Sequence, residues 1–170
     1  EEMGGVKITA DSVLKLIDRL DNLAGIIDAS LDWQFMIEVV STAQRKRADF
    51  QLLTGAEYMI SAGATGATGM IAPMAGIAPR AVKKLWDLCA QEKYQEARPV
   101  QEAIAALRQA VKPLGVAGLK AAITLMDRKG GNMRAPLENP ALAARKKPRD
   151  LDIAAARKEF AAMLSGKPTS

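Results

Sequence analysis

An α/β fold built on a parallel sheet is what this sequence predicts, and three observations carry it. Short apolar runs recur at 23–28, 50–54 and 69–72. Each is followed by a segment whose apolar side chains fall at helical spacing, and the connections between them are short. A parallel return needs a crossover of roughly a dozen residues, so this alternation reads as consecutive βαβ units.

The elements follow in order. Thr9 to Leu20 places Val13, Leu14, Leu16, Ile17 and Leu20 at helical spacing, with Thr9 or Asp11 able to cap its start. Asp21-Asn22 ends that helix, and Leu23 to Asp28 is an apolar run with a polar end, as in a strand buried on both faces. Asp32 caps the next helix, which carries Trp33, Phe35, Met36, Val39, Val40 and Ala43 and ends in Arg45-Lys46-Arg47. Phe50 to Thr54 is the second strand, Gly55 a turn, and Glu57 to Ala64 a short helix. Gly69 to Ala72 is the third strand, with Pro73 to Pro79 as a loop. Pro79 opens a helix over Ala81 to Gln91 near its first turn, where a missing N–H is harmless. Tyr94 to Val111 is amphipathic through Ala97, Val100, Ile104, Leu107 and Val111, and Pro99 implies a late start or a kink. Val116 to Met126 is a further helix. Asp127 to Asp150, with Gly130-Gly131, Pro136, Pro140 and Pro148, reads as an extended loop before a last helix to Leu164 and a tail from Gly166.

Three strands form too small a parallel sheet to cover its own faces and edges. The units therefore read as the last part of a larger barrel or doubly wound sheet, with an α-helical appendage. By the same argument the isolated 170 residues are expected to elute from a sizing column as an oligomer or aggregate. A well-folded monomer at low concentration would sink that expectation.

Composition narrows the function classes. With 49% hydrophobic and 25% charged residues the chain is an ordinary globular sequence. Its net charge of +5 is concentrated in Arg145, Lys146, Lys147 and Arg149, and no aromatic residue is interleaved with that cluster, so nucleic-acid binding is not expected. No apolar run reaches the roughly 18 residues of a membrane span. The acidic Glu1-Glu2 start does not resemble a secretory signal, and a cytoplasmic protein is expected. Histidine is absent, which removes a Ser-His triad, a Cys-His pair and the commonest zinc ligand together. Cys89, the single cysteine, sits in a helical run and reads as a buried, inert thiol.

Four pieces of the chain, in order, match a known pattern: Gly25-Ile26-Ile27-Asp28-Ala29-Ser30, Leu53-Thr54-Gly55-Ala56-Glu57, the stretch Gly66 to Pro79, and Leu119-Lys120-Ala121-Ala122 with Met133-Arg134-Ala135-Pro136-Leu137. In these the chain resembles the dihydrodipicolinate synthase and N-acetylneuraminate lyase family, from its sixth barrel strand to its C-terminal helices. The resemblance implies the C-terminal portion of a (β/α)8 TIM barrel, about strands 6 to 8: partial barrel over 1–80, last barrel helix and helical region over 81–164, tail over 165–170. It also implies a lyase acting on pyruvate or another small 2-keto acid through a lysine Schiff base, with no separate cofactor or metal, assembled as a homo-oligomeric dimer or tetramer. Such a lysine must lie among apolar neighbours, so that its pKa falls and a neutral amine attacks.

The family's lysine position falls on Ile27, which has no nucleophile. The resemblance thus leaves no catalytic residue here and makes Ile27, Gly55 and Ile71 pocket-lining residues at strand ends. The readings that remain are a lyase completed by another part of the protein, a non-catalytic homologue kept for ligand binding or assembly, and an engineered lysine-to-isoleucine change. Smaller departures are Leu31 where the family often has glycine, Gly76 where it often has asparagine, and a Gly55 to Gly69 interval one residue short.

Without the resemblance, Ile27 is simply a buried strand residue. Lys7 and Lys120 are the lysines that could substitute, though each reads better as a solvated amine. Asp28 with Glu57 is a possible acid/base pair. The favoured alternative has Asp28 capping a loop and Glu57 opening a helix. The glycines at 63, 66 and 69 lack the spacing and following lysine of a phosphate loop and read as close packing. Arg134 could bind an acidic ligand, whereas the resemblance implies that its loop packs the appendage onto the barrel; Leu85, Trp86 and Leu88 read as core or subunit contact.

Overall fold

The computed structural model describes residues 5–55, 57–126, 128–131, 133 and 134. Its elements are α1 (Ala10–Arg19), β1 (Gly25–Asp28), α2 (Trp33–Lys46), β2 (Gln51–Thr54), α3 (Met59–Ala64), β3 (Gly69–Met70), α4 (Pro79–Ala90), α5 (Tyr94–Val111) and α6 (Gly115–Leu125). The sheet is parallel in the order β1-β2-β3, with Ile27 opposite Leu53 and Leu53 opposite Gly69. The expected loop at 127–150 is described only up to 134, and the expected last helix and tail lie outside the described residues.

Thr9 is the cap of α1: its Oγ1 accepts the Ser12 N–H at 3.2 Å. Ala10, Val13 and Ile17 are buried, whereas Leu16 and Leu20 are 44% and 42% exposed. Helical spacing found the helix but drew its apolar face too wide. Asp32 caps α2 by accepting the Phe35 N–H at 3.0 Å. Ile26 and Leu52 turn to the same side of the sheet and pack with Val13, Ile17, Met36 and Val39 in one core. A second core joins Leu85 of α4 to Ala97, Val100 and Ile104 of α5, with Met59 and Met74 beneath.

Several boundaries differ from the sequence reading for identifiable reasons. β1 begins at Gly25 rather than Leu23, because the Arg47 guanidinium occupies the Leu23 carbonyl at 2.6 Å. The same guanidinium donates to Ile17 O at 3.1 Å and to Leu20 O at 3.0 Å, the latter also accepting the Leu23 N–H, so it ties down the C-terminal end of α1. α3 starts two residues after Glu57, whose side chain is engaged elsewhere. β3 ends at Met70, and Pro73–Gly76 is a 3-10 turn inside the expected loop. Pro99 does not delay α5, which starts at Tyr94 and carries the proline within it. The missing N–H there removes one intrahelical bond, and the buried face of Ala97, Val100 and Ile104 holds the helix across it.

Gly25 shows how tightly the sheet is drawn. A Cβ at that position would overlap the Gln51 carbonyl oxygen and come within 2.9 Å of Gln51 Cβ. Gly25→Ala should therefore push β1 away from β2 and lower stability by about 3 kcal/mol, measured as a shift in the urea midpoint. An unchanged midpoint would mean that β1 moves freely at its edge.

Candidate functional site

Side chains alternate along a strand, so the register fixes which residues share a face. Ile26 and Leu52 take the helix side. Ile27, Leu53 and Gly69 take the other, and two residues further on Ala29, Gly55 and Ile71 follow on that same side. The ladder continues past the strand ends, with Gly55 N–H donating to Asp28 O at 2.6 Å and Ile71 N–H to Thr54 O at 2.8 Å. The three residues expected to line a pocket thus lie together on one face, at the C-terminal ends of parallel strands. In α/β sheets that is where ligands bind.

Ile27 is not the buried strand residue that composition favoured, nor is β1 buried on both faces: Ile27 is 58% exposed and Ile71 50%. The physical reason is the alternation itself. The helices cover Ile26 and Leu52, and on the opposite face Ile27 and Ile71 are left exposed among the described residues while Gly69 is buried beside Leu53 and Trp86.

Asp28 and Glu57 are both buried, at 7% and 1% exposure. Asp28 Oδ1 accepts the Ser30 N–H at 3.0 Å, closing the turn after β1. Glu57 Oε1 accepts the Met74 N–H at 3.1 Å, and its Oε2 lies 2.9 Å from Arg108 Nε of α5. That N–H is not aimed at the oxygen, so the contact is an ion pair rather than a linear hydrogen bond. Arg108 also stacks 5.7 Å from the Tyr58 ring. These partners give both carboxylates structural work. Arg108 escaped the sequence reading because it lies far along the chain from Glu57, and the available signal was that a buried glutamate requires a cation.

The turn between β1 and α2 closes the site at one side. Ser30 Oγ accepts the Asp32 N–H at 3.1 Å, and Lys7 Nζ reaches Asp32 Oδ2 at 3.1 Å. The Phe35 N–H, then Lys7, hold the Asp32 carboxyl below its ordinary pKa. Lys7 is thus an exposed amine paired to a helix cap. Leu31 adopts φ +61°, the left-handed region in which a β-carbon is strained by about 1–2 kcal/mol. Leu31→Gly should stabilise the fold by about 0.5 kcal/mol, the strain relief exceeding glycine's greater chain entropy. Thermal unfolding checks this, and a lowered Tm would show that the leucine side chain is needed where it stands.

Other sequence features resolve into packing. Gly66 has φ +102°, and a Cβ there would lie 2.7 Å from Val40 Cγ1, so the glycine-rich stretch brings the turn before β3 against α2. Cys89 is buried, and burial raises its thiol pKa, which keeps it protonated. Leu85 is in the second core, with Trp86 and Leu88 packed at its margin. Lys120 lies in α6. Arg134 is exposed, and the residues after it lie outside those described. Among the described residues no cluster of His, Cys, Asp or Glu could hold a metal, and no helix is long and apolar enough to cross a membrane.

The sequence model of the Dihydrodipicolinate synthetase family matches residues 1–152 of the chain. The chain belongs to this family. Among its relatives, a DapA-like lyase of Halobacterium salinarum is 28% identical over 127 residues, covering 73% of this chain and 40% of that protein. The 4-hydroxy-tetrahydrodipicolinate synthase of Thermotoga neapolitana is 28% identical over 144 residues, covering 78% and 46%. The chain therefore spans less than half the length of these curated relatives. In structure it superposes on dihydrodipicolinate synthase of Thermotoga maritima with a TM-score of 0.77 at 23% identity, covering 92% of this chain and 52% of that one. N-acetylneuraminate lyase of Fusobacterium nucleatum gives 0.71 at 20% identity, covering 93% and 52%. The α/β fold with its parallel sheet is thus that of the family, matched over about half of each neighbour.

Leu31 and Gly76, two of the expected departures, have local physical readings. Leu31, expected from the resemblance to stand at a glycine position, has the backbone conformation that glycine tolerates best. Gly76 lies under α6: a Cβ there would sit 3.2 Å from Ile123 Cδ1, so the absent side chain lets the helix approach closely.

Proposed function

We propose that the protein carrying this chain is a (β/α)8-barrel member of the lyase family that binds a small 2-keto acid such as pyruvate, without forming a Schiff base at position 27. In this reading β1 to β3 are the sixth to eighth barrel strands. Residues 1–80 belong to the barrel, and residues 81–164 supply its last helix and a helical appendage. The observation that carries it is the placement of Ile27: on the face of the sheet turned away from α1 and α2, beside Gly55 and Ile71 at the C-terminal strand ends, where a reacting side chain would stand. An alkyl chain there contributes contact surface but no nucleophile. Assembly as a homo-oligomer, dimer or tetramer, is part of this reading.

Borohydride reduction in the presence of pyruvate, followed by intact mass, tests this on the protein at its natural full length. The expected result is no covalent adduct, together with measurable pyruvate binding by calorimetry. An adduct mapped to some other lysine would overturn the reading and restore a lyase that uses a displaced amine.

A further inference from the structure

Glu57 links the two turns by which the chain leaves β2 and β3 at the candidate site. It lies two residues beyond Gly55, and the amide it binds, the Met74 N–H at 3.1 Å, lies three residues beyond Ile71. Met74 stands in the first turn of the 3-10 segment Pro73–Gly76, where a backbone N–H has no partner within the helix. The Glu57 carboxylate supplies that partner from the neighbouring strand end, and the Met74 side chain is itself buried. The two turns are thereby fixed to each other, and with them the spacing of Gly55 and Ile71.

A carboxylate at 1% exposure keeps its place inside only with a cation beside it. That cation comes from α5. Arg108 Nε stands 2.9 Å from Glu57 Oε2, and Arg108 Nη1 donates to Tyr58 Oη at 3.4 Å. Two turns earlier on α5, Gln101 Oε1 accepts the Ile60 N–H at 2.8 Å, at the start of α3. Positions 101 and 108 are seven apart and share one helix face, so that face of α5 holds the segment 57–60 at both ends. Without Arg108, Glu57 would have to turn toward water, and it would release the Met74 N–H as it did so.

We propose that Arg108 is a positioning residue for the candidate site: acting through Glu57, it locks the turn after β3 to the end of β2. This inference rests on the 2-keto-acid reading above and adds to it the residues that hold the site in its binding shape. A ligand that contacts both strand ends is sensitive to their spacing, because polar contacts weaken steeply when their geometry is lost.

Pyruvate calorimetry on the full-length protein tests it, with each variant checked for folding by circular dichroism at the temperature of the titration. Arg108→Gln should weaken pyruvate binding about fivefold, the equivalent of one misaligned hydrogen bond. Glu57→Gln, which leaves no charge buried, should fold and weaken it likewise, and the two changes together should do no more than either alone. Arg108→Lys keeps a cation for Glu57 and should bind within about twofold of the unsubstituted protein. Val13→Ala is the control: it loosens the core beneath α1 and lowers stability, yet should leave pyruvate affinity unchanged. Unchanged affinity in folded Glu57→Gln or Arg108→Gln would overturn the inference and leave the 2-keto-acid reading standing. So would additive losses in the double variant, or losses in Val13→Ala or Arg108→Lys as large as in Arg108→Gln. An unsubstituted protein that binds no pyruvate would overturn both.

Discussion

Arg108→Ala is expected to lower stability by about 3 kcal/mol, more than an ordinary surface substitution. The reason is what the arginine leaves behind. Glu57 is 1% exposed, and its Oε1 is already committed to the Met74 N–H, so its Oε2 would face the interior with no counter-charge. Breaking one half of a buried ion pair costs more than the pair itself contributes, because an uncompensated charge remains out of water. Arg108 retains 29% side-chain exposure, which places the expected loss toward the lower end for such pairs. Urea unfolding of Arg108→Ala, Glu57→Gln and the double variant separates the terms. The double variant should recover part of the Arg108→Ala loss, since a neutral amide at 57 no longer needs a cation. A loss below about 1 kcal/mol for Arg108→Ala would mean that water reaches the pair.

The pair also shows why some of the fold was legible in the sequence and some was not. Elements set by local chemistry were readable: Thr9 and Asp32 cap the helices they precede, Pro79 stands in the first turn of α4, and the short apolar runs are strands. Features set by distant partners were not. The start of β1 depends on Arg47, 24 residues on at the far end of α2, claiming the Leu23 carbonyl. The continuity of α5 through Pro99 depends on tertiary packing that outweighs one lost hydrogen bond. Propensity describes the chain's neighbours in sequence, and these outcomes are decided by its neighbours in space.

The candidate site divides the same way. The positions at 27, 55 and 71 could be named from motif order, but their meeting on one face follows from register, which only strand pairing defines. Composition favoured burial for Ile27 because isoleucine is usually inside. Here the chain spans less than half the length of its relatives, and residue 27 falls on the sheet face that the described helices leave uncovered.

That placement makes Ile27→Lys the substitution with the largest expected chemical effect. A lysine at 27 would project from the open face of β1 beside Leu53, with Ile71 one row above. If the full-length protein encloses it among apolar neighbours, as the barrel reading proposes, its ammonium form would be disfavoured, its pKa would fall, and a neutral amine would become available near neutral pH. That amine would add to the keto carbon of pyruvate and expel water, and borohydride would reduce the resulting iminium to a stable secondary amine. Intact mass should therefore change from no adduct in the unsubstituted protein to a covalent pyruvyl adduct in Ile27→Lys, with peptide mapping locating it at residue 27. A folded Ile27→Lys protein that binds pyruvate yet gives no adduct would sink the assignment of this position to the reacting centre. The exposed face of β1 would then be a packing surface, and the pocket would have to be sought on other strands.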